Sequence, residues 1–211
     1  MVKPRRARLK PFIARSRGRR VHSPSAMGVR PLLKLGHPTL RERAEELPLE
    51  AISTAPIQEL IEDMIETMRA HHGAGLAAPQ IGESVRIAVA EVRDNPRYPG
   101  LGELPLSIWI NPVWTPLSDR VTVEMYEGCL SVPGLRGLVR RPGHILLRAM
   151  DREGKPFEHE FKGPLAAVVG HELDHLDGVL FVDRADPKTL TFTEKYDKFV
   201  ENEKRLRVFQ S

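Results

Sequence analysis

Apolar side chains at Ile57, Leu60, Ile61, Met64, Ile65 and Met68 recur at spacings of three and four, which marks one buried face of an amphipathic helix. Ser53 and Thr54 stand before Pro56, so a hydroxyl can accept an orphan amide while proline takes the tolerated first turn. The helix is expected to end near Gly73. The period then shortens. Residues 85–92, 108–113, 120–126, 144–150 and 157–161 are short β-rich runs separated by Gly, Pro and Asp, which predicts several antiparallel strands. Residues 94–105, rich in Pro and Gly, read as an excursion between two of them.

Gly163 and Pro164 open a second helix whose first turns, Leu165 to Val169, have no polar side, so this helix must lie inside the domain. Gly178 is placed to stop it. A third, strongly charged helix is expected over 193–208. Together these elements predict an α+β fold, with antiparallel β-strands packed around a central buried helix, an N-terminal amphipathic helix and a C-terminal helix.

At 211 residues the chain is long enough for one well-buried domain and short for two. No run approaches the roughly 18 consecutive apolar residues of a membrane span, so a soluble protein with no membrane partner is expected. Charge alters the picture more. The formal net charge is +4, yet residues 1–26 hold nine Lys and Arg and no acid, so residues 27–211 carry the difference between +4 and +9, a net −5. A segment so rich in Arg is not expected to fold alone, which sets 1–26 apart as a basic, disordered extension and 27–211 as a single catalytic domain. Three readings fit the extension: an organelle-targeting presequence, an arm that touches ribosomal or other RNA, and a solvated stretch with no role or one upstream of a true start at Met27.

Chemistry concentrates on the buried helix. In His171-Glu172-Leu173-Asp174-His175 the two histidines are four apart, about 40° round a 3.6-residue helix, so both imidazoles leave one face and can hold one ion. Glu172 lies one position round, within reach of a water on that ion. Two histidines leave a tetrahedral site incomplete. Downstream only Asp177 and Asp183 are candidates; upstream stands Cys129, the one cysteine, which by itself reads as a buried apolar residue, a nucleophile or a ligand. With a single cysteine an internal disulfide is impossible, which fits a reducing compartment.

Gly73-Ala74-Gly75-Leu76-Ala77-Ala78-Pro79-Gln80, then Glu127-Gly128-Cys129-Leu130-Ser131, then His171-Glu172-Leu173-Asp174-His175 resemble the three signature motifs of the peptide deformylases, in that family's order. The resemblance runs from about residue 29 to 183. It implies hydrolysis of the N-formyl group from formylmethionine on nascent polypeptides, releasing formate. It implies Cys129, His171 and His175 as metal ligands, natively for iron(II), with zinc, nickel or cobalt able to take the site. It makes Glu172 the proton shuttle, and it has the Gln80 side-chain amide and the Leu130 backbone N–H meet the formyl oxygen.

Ala74, Gly75 and Gly128 are expected to pair with the substrate main chain as an added strand. By the resemblance Arg136 stands beside the methionine pocket, Ala167 and His171 lie on the helix that flanks it, and Asp174 holds ligand geometry. One departure is Gly170, where members commonly carry Gln. The location implied is a bacterial cytoplasm, or a mitochondrion or plastid if 1–26 is a transit peptide. The rival reading is a zinc endopeptidase of the H-E-x-x-H type, which would be indifferent to Cys129.

Overall fold

Residues 28–93 and 101–210 are described by a computed structural model; the basic extension 1–26 and residues 94–100 of the predicted excursion lie outside them. After a 3-10 turn at Pro38–Arg41, a short helix and a long one follow. α1 (Leu49–Ile52) runs straight into the amphipathic α2 (Ala55–Ala70), whose Ile61, Met64, Ile65 and Met68 are buried. Thr54 occupies the N-cap of α2, but its hydroxyl donates to the Ala51 carbonyl (2.6 Å) instead of accepting an amide, because the end of α1 offers that oxygen first. The helix stops three residues before Gly73, with His72 at a left-handed φ of 52° and Gly73 N–H returning to the Met68 carbonyl.

Two antiparallel sheets follow. One comprises β1 (Gly75–Ala77), β2 (Ile87–Val92), β3 (Leu104–Pro116), β6 (His144–Met150) and β7 (Pro156–Lys162), in the order β1-β2-β3-β6-β7. The other comprises β4 (Val121–Cys129), β5 (Val132–Pro142), β8 (Thr191–Phe192) and β9 (Leu206–Gln210), in the order β8-β5-β4-β9. β5 is absent from the sequence-based expectation. Its inward alternation is carried by Gly137, Val139 and Arg141, and a hydrophobicity pattern cannot register a glycine and a buried arginine as core positions.

The C-terminal helix expected over 193–208 is corrected by the structure. The segment divides into α5 (Thr193–Phe199), α6 (Asn202–Arg205) and strand β9. Among 193–205 Tyr196 is the one buried residue, so a continuous helix would have no apolar stripe to bury. The last residues instead pair along β4 from Val121 to Met125.

α3 (Pro164–Leu176) lies in the interior, with Ala166 to Gly170 all buried, and Gly178 beyond it takes φ 73° as a helix stop requires. β2 separates two cores. Ile87 and Val89 face α2 and its Met64 and Met68, while Ala88 and Ala90 face α3 and its Val169 and Leu173. The alanines matter, because a small side chain lets the helix backbone come close to the sheet. A third cluster, including Leu40, Cys129, Val139, Leu180 and Phe181 near α4 (Phe181–Arg184), packs beneath the end of β4. No helix among the described residues is long and apolar enough to cross a membrane.

Candidate metal centre

Cys129 is the last residue of β4, where the chain turns through Leu130 and Ser131 into β5. His171 and His175 stand one turn apart on α3 with ring centroids 5.0 Å apart, and their shared face looks at that turn. The Cys129 Sγ lies 3.2 Å from His175 Nε2, and one donor atom from each of the three residues falls within 4.8 Å of the others. Burial opposes a charged sulfur, but the two imidazoles outweigh it and hold the Cys129 thiol well below its ordinary pKa. A thiolate with two imidazoles is a donor set that suits zinc or iron. Three ligands that close, in a buried site, fit one divalent ion.

The candidate ligand His171 is oriented from behind. Its Nδ1 sits 2.8 Å from Glu127 Oε2, which leaves Nε2 for the ion. Burial opposes its protonation, but the hydrogen bonds to Cys129 and Glu127 raise the His171 pKa well above the usual value. Glu127 is itself clamped by Arg141, Nε to Oε1 at 2.5 Å and Nη2 to Oε2 at 2.9 Å. Burial would raise its pKa, yet the guanidinium holds it down to about 2. Arg141 also donates to Asp174 (2.7 Å), which receives two more bonds from Arg184, each 2.6 Å. The chain of alternating charge therefore runs from the imidazole to the half-exposed Arg184. The Arg141 stem lies over Gly170, where an added Cβ would come within 3.4 Å of it.

Glu172 is different in kind. It lines the cavity beside the cluster, its Oε2 is buried with no hydrogen-bond partner among the described residues, and burial pushes its pKa up to about 7. It packs against bare backbone. A Cβ built on Gly75 would stand 2.6 Å from the Glu172 Cδ, so only glycine admits the carboxylate there.

Ala74, Gly75, Gln80, Gly128 and Leu130 line the same cavity. β1 is the edge of its sheet, and β9 covers β4 only as far as Met125, so the cavity lies between a sheet edge and the end of another strand. Gln80 is fixed at both ends of its amide: Oε1 accepts from Ala77 N–H (2.8 Å), while Nε2 points to Ser131 Oγ (3.2 Å) and Cys129 Sγ (3.5 Å). Arg136 stands apart from these. It is buried under the C-terminal segment with its guanidinium 4.7 Å from the Tyr196 ring, and it does not line the cavity. Glu127 was visible in its motif without a role, whereas Arg141 and Arg184 carry no motif that could single them out.

Residues 29–190 match the model of the polypeptide deformylase family. The chain belongs to that family. A peptide deformylase of Leptospira biflexa is 46% identical over 159 residues, 75% of this chain and 88% of the relative. One from Dictyoglomus thermophilum is 44% identical over 168 residues, covering 79% of this chain and 99% of its own. Among solved structures, a class I type b peptide deformylase of Acinetobacter baumannii with Met-Ala-Ser bound superposes with a TM-score of 0.72 at 34% identity, over 75% of this chain and 99% of that one. The deformylases are metal-dependent hydrolases, and the thiolate-diimidazole cluster fits that requirement. The endopeptidase alternative is not favoured, since the matched family is a deformylase and Cys129 joins the two histidines in one cluster.

Proposed function

We propose that this chain removes the N-formyl group from formylmethionyl nascent polypeptides through Glu172, with Cys129, His171 and His175 holding iron(II), or zinc, nickel or cobalt in its place. The observation that carries the assignment is a buried carboxylate whose Oε2 has no hydrogen-bond partner among the described residues, lining the same cavity as Cys129 and His171 of the clustered thiolate and two imidazoles. When bound, the ion supplies the Lewis acidity that makes water nucleophilic near neutral pH. Glu172 takes the proton of the attacking water and returns it to the departing amine nitrogen, roles suited to a group whose pKa lies near 7.

The Gln80 Nε2–H and the Leu130 backbone N–H receive the negative charge that grows on the formyl oxygen; removing one such donor typically costs about 3 to 4 kcal/mol of transition-state stabilisation. Gln80 meets this need because its carbonyl end is already tied to Ala77, which fixes which way the amide points. Ala74 and Gly75 on the β1 edge, with Gly128 opposite, align an extended peptide as an added strand. The proposal places the catalytic unit at 27–211 in a bacterial cytoplasm, with the nine cations of 1–26 suited to ribosomal phosphate.

Formate release from formyl-Met-Ala-Ser by protein prepared without oxygen tests this. Wild type is expected to turn over; Glu172→Gln should lose turnover while keeping its metal, and Cys129→Ala should lose the metal itself. A wild-type chain that releases no formate when loaded with iron, nickel or cobalt ends the assignment.

A further inference from the structure

β2 and β3 are adjacent antiparallel strands whose outermost paired residues are Val92 and Leu104. A hairpin between such strands needs about two to five residues, and eleven stand here, of which Arg93 and 101–103 are described. Leu101, from the described end of this connection, is only 4% exposed. The next residue, Gly102, takes φ 90° and packs close to Leu165, so the chain turns just after Leu101 and runs back to the sheet. Leu101 therefore sits among the core residues of α3, and it lines the cavity that also holds Glu172 and Cys129.

The apolar side chains that α3 and the residue before β1 offer that cavity are small. Ala167, Val168 and Ala74 face it, and none has a side chain that could fill a pocket. The larger apolar groups lining it are Met125 from β4, Leu101, and Leu130, which packs toward the α2 side of the sheet. Met125 is fixed by strand pairing on both sides, with Val139 of β5 and Leu206 of β9. Leu101 comes from outside either sheet. Resting on the deformylase reading, we infer that Leu101 sets the width of the pocket for the first side chain of the substrate, so that preference for the unbranched methionine over bulkier residues depends on this side chain.

The test is a ratio: kcat/KM for formyl-Phe-Ala-Ser over that for formyl-Met-Ala-Ser, in which the folded fraction of each preparation cancels. Leu101→Ala should raise the ratio by about tenfold or more, the scale on which a few methylenes in an apolar pocket discriminate. Leu101→Phe should lower it. Leu104→Ala removes a comparable buried group from the same cluster without touching the cavity, and should leave the ratio where it was. An active wild type whose ratio is unmoved by both Leu101 substitutions, or moved as far by Leu104→Ala, overturns the assignment of Leu101 alone. A wild type that deformylates neither peptide overturns the deformylase reading and this assignment with it.

Discussion

A Cβ on Gly75 would stand 2.6 Å from the Glu172 Cδ, and the buried Glu172 Oε2 has no hydrogen-bond partner among the described residues, so the space that Gly75 leaves open is what places this carboxylate. An alanine at 75 would have to push the carboxylate away from the cluster. Gly75→Ala is expected to keep its metal and its fold but lose about a hundredfold in kcat/KM, the scale attached to misplacing a reacting group by an ångström. Formate release read beside metal analysis checks this; near-normal turnover would mean that Glu172 has room to act from elsewhere. Gln80 is held in the opposite manner, by bonds at both ends of its amide. One residue is placed by what is missing next to it, the other by what is attached.

Among the elements, α2 and α3 were legible because each writes its burial in side-chain type, a stripe in one and an unbroken apolar run in the other. The clustered histidines were legible because their spacing on α3 is geometry in itself, and Cys129 gained meaning from its flanking motif. β5 was not, since its inward positions include Gly137 and Arg141, nor was β9, whose side chains are largely exposed and whose partner is eighty residues away. Arg136, expected beside the methionine pocket, has its guanidinium 4.7 Å from the Tyr196 ring, a contact that a C-terminal segment broken into shorter pieces provides. β9 contributes little apolar burial but closes the side of β4. Deleting 206–211 is therefore expected to lower Tm modestly and to promote self-association at high concentration through the uncovered strand, visible by light scattering. A truncated chain that stays monomeric would show that β4 needs no cover.

On the scale of the whole molecule, the line His171, Glu127, Arg141, Asp174, Arg184 ties the helix with the imidazoles to the four-stranded sheet and to α4. Such a line is costly to break in the middle. Arg141→Met leaves two buried carboxylates facing each other and should destabilise the fold by about 3 to 5 kcal/mol in urea. The pH dependence has a definite sign. Glu127 is held at about 2 when folded against 4.5 for the free group, so its contribution is complete above pH 4.5 and is lost as pH falls toward 2. Urea midpoints measured through that window should drop for wild type and drop less steeply for Glu127→Gln; parallel curves would remove Glu127 from the acid response.

The β2 strand also divides the molecule's freedom to vary. On the α2 side, Ile87 and Val89 meet flexible methionines that can re-pack, so that layer can accept substitutions that tune robustness. On the other side Ala88 and Ala90 form a ceiling over α3, and any bulkier residue there would tilt the helix and swing both imidazoles away from the sulfur. Substitution is thus expected to cost little on one surface of a single strand and much on its reverse.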